Sequence, residues 1–138
     1  MEFMKKFKPE TNTIKEFNHW VVLLREKQVT LGASIIALKR EIPSFSQMSA
    51  EEAAEFPDVI AWFEELNVSL FGAEKFNYVA AMMKDNFVHY HAFPRYGSVI
   101  VRYGVEWKDL NWPKVIEFLE VQYDESVLES IKQDMQGA

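Results

Sequence analysis

Apolar positions along the chain fall into short runs of strand length and one long helical stripe. HWVVLLRE (residues 19–26) and ASIIALKRE (33–41) read as two strands, with Gly32 as the turn or bulge residue between them, so the first third predicts a hairpin or near-hairpin. Ser49 and Glu52 have the spacing of a capping box that opens a helix. Beyond them Phe56, Val59, Ile60, Phe63, Leu66 and Leu70 recur every three or four residues, the stripe of a helix that buries one face. Pro57 predicts a kink or split near its first turns, and Gly72 its end.

The second half returns to strand-length runs. EKFNYVAAMM and FVHYHAFPRY are two apolar segments, and Lys84, Asp85 and Asn86 between them form a polar turn of hairpin size. SVIVRYGVEW either extends the sheet or forms an edge strand. Asn111-Trp112-Pro113 predicts a short helix over 111–119, proline suiting a first helical turn, and Val127, Leu128 and Ile131 a last one over 125–135. The opening MEFMKKFKPETN has no clear period and reads as an arm or short helix. Strands, one long helix, more strands and short terminal helices together predict an α+β fold with a largely antiparallel sheet. No repeat or linker divides the chain, so residues 1–138 are expected to form one domain, with a core of about 14–103 and a helical extension of about 104–138.

Composition narrows the function. At 138 residues, 49% hydrophobic and 14% aromatic, the chain is long and apolar enough to fold around one core without staples. The absence of cysteine removes disulfides, thiol nucleophiles and zinc ribbons, so any metal would fall to His, Asp or Glu. No apolar run approaches a membrane span and no secretory leader pattern opens the chain, which predicts a cytoplasmic protein that does not enter the membrane. A net charge of −6 opposes binding of duplex nucleic acid but not of a small phosphorylated ligand held in a local pocket.

Two of the three histidines, His89 and His91, stand one residue apart in FVHYHAFPRY. On a strand they share a face with Phe87 and Phe93, while Val88, Tyr90 and Ala92 point the other way. Imidazoles titrate near neutrality, so two fixed on one face make a site that can attack, accept a proton and hold charge. Arg95, just beyond them, either helps hold an anion or is a solvated strand end. Asn77, an amide inside an apolar strand, needs a partner and is a candidate ligand contact. Lys84 and Asp85 are candidates from the turn, although turn chemistry alone accounts for them. His19 would complete a three-histidine metal site if the sheet brought it to the pair. Glu51, Glu52 and Glu55 match the N-terminal end of a helix dipole. Trp107 and Trp112 cap the core or form a dimer contact.

The segment FNYVAAMMKDNFVHYHAFPRY resembles the signature region of the histidine triad superfamily, whose motif is His-φ-His-φ-His-φ-φ, φ being apolar, commonly followed by Pro-Arg. The motif positions here are Phe87, Val88, His89, Tyr90, His91, Ala92 and Phe93, followed by Pro94 and Arg95. The first hairpin and the long helix resemble that family as well, so the likeness covers about residues 18–96. It implies a hydrolase or nucleotidyltransferase acting on a nucleotide conjugate such as a dinucleoside polyphosphate. His89 would attack the α-phosphate to give a nucleotidyl-histidine, and His91 would stabilise charge on the phosphate. It implies no cofactor and no need for a divalent metal, a homodimer, and a base cleft drawing on residues such as Phe17, Ile42, Phe45 and Phe56.

The chain departs from the pattern in three places. Phe87 stands at the first triad position, so the tautomer of His89 must be fixed by another group, such as a backbone carbonyl. Gly32-Ala33-Ser34 lacks the histidine that many members carry after this glycine. The connection before the histidine strand has no glycine, and Asn86 stands where related branches have proline. A nucleotide-binding module of the same fold that has lost turnover is the alternative these departures raise, with a histidine-based metal protein as a third.

Overall fold

The computed structural model describes residues 3–138. Its elements run α1 (Pro9–Asn12), β1 (Thr13–Glu16), β2 (Trp20–Leu24), β3 (Ser34–Leu38), α2 (Ala50–Phe71), β4 (Lys75–Val79), β5 (His89–Arg95), β6 (Ile100–Arg102), β7 (Val105–Trp107) and α3 (Glu125–Gly137), with 3-10 turns at Phe3–Phe7 and Phe45–Gln47. Five strands form one antiparallel sheet in the order β1-β2-β3-β5-β4, and β6 pairs with β7 in a separate ribbon. The α+β class, the long helix and the C-terminal helix agree with the hydrophobic pattern. Among the described residues no helix is long and apolar enough to cross a membrane.

Helix α2 opens with the capping box: Glu52 N–H donates to Ser49 Oγ at 3.1 Å, and Ser49 N–H donates to Glu52 Oε1 at 2.7 Å. Arg40 also donates to the Glu52 carboxylate, and these bonds hold its pKa down to about 2. Val59, Phe63, Leu66 and Phe71 are buried against the sheet. The helix runs through Pro57 as one continuous element, so the expected split does not occur. Pro57 and Ala53 are both exposed, so the carbonyl that loses its partner to proline is open to water. Gly72 ends the helix in the left-handed region, at φ 73°.

Strands β2 and β3 are buried throughout and apolar apart from Ser34, because both faces of the sheet are covered there. Val22, Leu24, Ile36 and Leu38 lie under α2, whereas Val21, Leu23, Ile35 and Ala37 face away from it. This second face carries no helix of comparable length. Met4 and Phe7 cover one part of it, and Ile116 covers another beside Ala33 and Phe93.

The opening residues hold a 3-10 turn and the short helix α1, in keeping with the sequence reading, and Met4 among them is fully buried; β1, which the pattern did not mark, adds the fifth strand. Three expectations change. The link between β4 and β5 spans residues 80–88 rather than a tight turn. Val88 N–H donates to the Ile42 carbonyl and the Val88 carbonyl accepts from Leu38 N–H, which draws the approach to β5 away from β4. The segment 98–107 does not extend the main sheet. It folds on itself about Tyr103 (φ 58°) and Gly104 (φ 71°), the two positive-φ residues a tight hairpin turn needs.

No helix forms over 111–119. Side chains take its backbone groups: Asn111 N–H donates to Asp109, Glu117 N–H to Asn111 Oδ1 and Ile116 N–H to Asn77 Oδ1, while the Lys114 carbonyl accepts from Arg95. Such bonds compete with a helical ladder.

Candidate functional site

Pairing with β3 sets Ala37 opposite His89 and Ile35 opposite His91, so both imidazoles lie on the second face of the sheet. The rings line up along the strand in the order Phe87, His89, His91, Phe93, with centroid separations of 4.4, 5.3 and 6.4 Å, the outer two pairs stacked and the two imidazoles meeting edge to face. His89 is 2% exposed. Its Nδ1 lies 2.7 Å from the Phe87 carbonyl. A carbonyl only accepts, so Nδ1 carries the hydrogen and Nε2 keeps its lone pair. Residue 87 thus orients the histidine through its backbone, as the sequence required of some group, while its phenyl ring packs on the imidazole.

His91 is half-buried and is held by Arg25, just past the end of β2. Arg25 Nε–H donates to His91 Nδ1 at 3.3 Å, and the edge of His91 meets the Phe118 ring at 4.8 Å. Burial first, and then the Arg25 charge, push the His91 pKa down to about 3, which keeps this ring neutral at physiological pH. The histidine face is therefore asymmetric. One imidazole lies deep with a free Nε2 lone pair, and the other borders a cavity beside a cation.

That cavity has a volume of about 270 Å³ and lies between the N-terminal segment and the end of β2. His91, Arg25, Lys6, Phe7, Lys27 and Asp85 line it, together with Glu26 and Asn12. Lys6 pairs with Asp85 at 2.5 Å and Lys27 with Glu120 at 2.6 Å. His89 does not border it: the Phe7 ring lies 5.8 Å from the imidazole and Phe87 stacks on it.

The other sequence candidates lie elsewhere. Arg95 donates to both carboxylate oxygens of Asp109 at 2.6 and 3.0 Å, to Asn77 Oδ1 at 2.5 Å and to the Lys114 carbonyl. Arg95 and Asn77 thus satisfy each other at the far end of the strand, roughly 13 Å along β5 from His91. Phe45 packs on Tyr90 at 5.6 Å, and Phe17, Ile42 and Phe56 belong to the core under α2. All four sit across the sheet from the histidines. Lys84 is exposed on the 80–88 link, next to Asp85. His19 lies near Lys39 and Glu52, and among the described residues no group of three or more His, Asp or Glu is placed to hold a metal. Trp107 is buried against Tyr123 and caps the core.

Arg25, Phe7 and Phe118 were not singled out from the sequence. For Arg25 a signal existed. It continues the alternation of Val21 and Leu23, the residues of β2 that share a face with the histidines. Phe7 and Phe118 reach the site from segments without periodicity, where no pattern assigns a face.

No family model matches the chain, and no curated protein matches it in sequence. Solved structures match it in shape. A histidine triad protein from Marinobacter aquaeolei superposes with a TM-score of 0.75 at 20% identity, covering 96% of this chain and 91% of that one. The chain has the histidine triad fold. A hypothetical histidine triad nucleotide-binding protein from Sulfolobus tokodaii gives 0.72 at 13% identity over 99% and 90% of the two chains. A histidine triad protein from Bradyrhizobium japonicum gives 0.72 at 14% identity over 96% and 92%. The likeness runs over nearly the whole chain, so β1, the 109–124 segment and α3 align within this fold along with the hairpins and α2.

Proposed function

We propose that this chain is a histidine triad nucleotide hydrolase or nucleotidyltransferase that uses His89 as its nucleophile. The observation that carries the reading is the Nδ1 contact of His89 with the Phe87 carbonyl, which leaves Nε2 as a lone pair beside a second, neutral imidazole. In the reaction, His89 Nε2 forms a bond to the α-phosphorus of a nucleotide conjugate as the bond to the leaving group breaks, and the leaving group departs with the electron pair. Water then attacks phosphorus, gives up a proton and releases the nucleotide from Nε2. His91, Arg25 and Lys6 border the space where anionic oxygens would be held. A dinucleoside polyphosphate is the substrate class to try first, and a homodimer is the assembly the fold likeness leads us to expect.

A second reading, a nucleotide-binding module without turnover, is favoured by one feature: His89 lies beneath Phe7 rather than at the open cavity. The test is incubation with diadenosine tetraphosphate and adenosine phosphoramidate, with and without chelator, for wild type and His89→Ala. A phosphorus-linked adduct on His89 and turnover lost in the variant support catalysis. Equal trace rates with retained nucleotide binding in both proteins leave the binding module.

A further inference from the structure

Arg25 is the cation at the cavity without a carboxylate partner: among the described residues no ion pair includes it, whereas Lys6 and Lys27 are paired. Glu120, the acid whose charge acts on it, is bound by Lys27. The Arg25 guanidinium is nevertheless well anchored. Its carbon lies 5.5 Å from the Phe93 ring centroid and 5.1 Å from that of Phe118, and Nη1 donates to the Lys27 carbonyl at 2.7 Å. With Nε–H spent on His91 and one Nη1–H on the Lys27 carbonyl, the other guanidinium N–H groups have no acceptor among the described residues.

An arginine cannot accept a hydrogen bond, so its contact fixes Nδ1 of His91 as the acceptor and puts the ring hydrogen on Nε2. We infer that Arg25 is the positioning residue that holds His91 in its Nε2–H tautomer, and that its unused N–H groups bind an anionic phosphate oxygen in the adjoining cavity. The first histidine is oriented by the Phe87 backbone, and the second is in this way oriented by Arg25, just past the end of β2. A neutral His91 donating from Nε2, beside a permanent cation, favours a ligand with charge to share between the two, a phosphate ester or anhydride over an uncharged conjugate. The groups that act on His91 are Arg25, His89 and Lys6, which disfavour its charging, and Asp85, which favours it. The anion half rests on the nucleotide reading proposed above; the tautomer half stands without it.

Long-range proton–nitrogen NMR spectra of histidine-labelled protein test both halves, with inorganic phosphate and adenosine 5′-monophosphate as ligands. Wild type should show His91 with a bare Nδ1 and a protonated Nε2. Arg25→Gln can still donate from its amide, so it should keep that tautomer while binding either ligand roughly tenfold more weakly or worse. Arg25→Met should lose both, giving averaged nitrogen shifts and a His91 that titrates closer to neutrality. An unchanged His91 tautomer in a folded Arg25→Met overturns the positioning role. Phosphate affinity within twofold of wild type in Arg25→Gln overturns the anion role. If wild type binds neither ligand while its His91 tautomer still depends on Arg25, the nucleotide reading and the anion half fall and the positioning half stands.

Discussion

Replacing Asp109 by alanine tests whether Arg95 belongs to the framework or to the site. The two side chains are 3% and 1% exposed and joined by two hydrogen bonds, and Asp109 also accepts from the backbone N–H groups of Tyr96 and Asn111. Removing one member of a buried pair strands the other charge and typically costs about 3–5 kcal/mol. Arg95 keeps Asn77 Oδ1 and the Lys114 carbonyl, so the lower end, about 3 kcal/mol, is expected. For 138 residues an unfolding entropy of about 0.3 kcal/mol/K converts this into a fall in Tm of about 10 °C. Urea and thermal unfolding followed by circular dichroism measure it. The double variant Arg95→Met/Asp109→Leu, which removes both charges, should recover more than half of the loss. Nucleotide affinity of the folded Asp109→Ala protein should stay within twofold, because the pair lies far along β5 from the histidines. A fall below 3 °C, or a double variant no more stable than the single one, refutes the argument; a tenfold loss of affinity returns Arg95 to the site.

Phe7→Ala should speed the reaction of His89 with diethyl pyrocarbonate severalfold, read by peptide mass spectrometry; a wild-type His89 that already reacts like a free histidine would show that Phe7 shields nothing. Lowering pH should destabilise the protein in two windows. His91 is neutral when folded, and the unfolded chain takes up its proton first, so stability drops as pH falls from about 6.5 toward 3 by at most about 1.4 kcal/mol per unit, reduced by the partial exposure of the ring. Glu52, whose pKa is lowered in the fold, contributes stability that is present above its unfolded value and lost as pH falls toward 2; His91→Gln should remove the first window and leave the second. Gly32→Ala puts a Cβ against Asn67 Oδ1 at φ 88°, and should cost about 1–3 kcal/mol in urea unfolding.

Legibility in the sequence followed physical regularity. The capping box, the stripe from Phe56 to Leu70, the Gly72 stop and the apolar runs of β2 and β3 are repeated local signals, and each specifies its element with little help from the rest of the chain. The shared face of His89 and His91 follows from strand alternation alone. What the pattern could not supply was decided by specific hydrogen-bond partners, near and distant in sequence, that periodicity does not report. Asn111, Asp109 and Asn77 displace a helix over 111–119, Ile42 and Leu38 redirect the 80–88 link, and Arg95 spends its donors on Asp109. The guessed base cleft failed to reach the histidines for a related reason. Phe17, Ile42, Phe45 and Phe56 are strongly apolar, but apolarity marks burial on either side of a sheet buried on both, and these residues lie on the side of α2.

The same distinction bears on residue 87. A histidine there would add a polar side chain, but the bond that orients His89 comes from the backbone carbonyl, which every residue type supplies. Phenylalanine keeps that bond and adds a ring stacked at 4.4 Å with an interplanar angle of 20°, which restricts rotation of the imidazole. The departure from the triad pattern at Phe87 is therefore compatible with a competent nucleophile. Cover would be the stronger barrier to the proposed attack. Phe7 lies over His89, and its segment is anchored by the fully buried Met4, by the bond from Asn12 to the Phe7 carbonyl and by the ion pair of Lys6 with Asp85. Two of these ties, the polar ones, border the cavity, so an anion that competes with Asp85 for Lys6 is expected to loosen the segment that covers His89. The proposed turnover and simple binding would then be separated by whether a ligand shifts Phe7, more than by the identity of the residue two positions before His89.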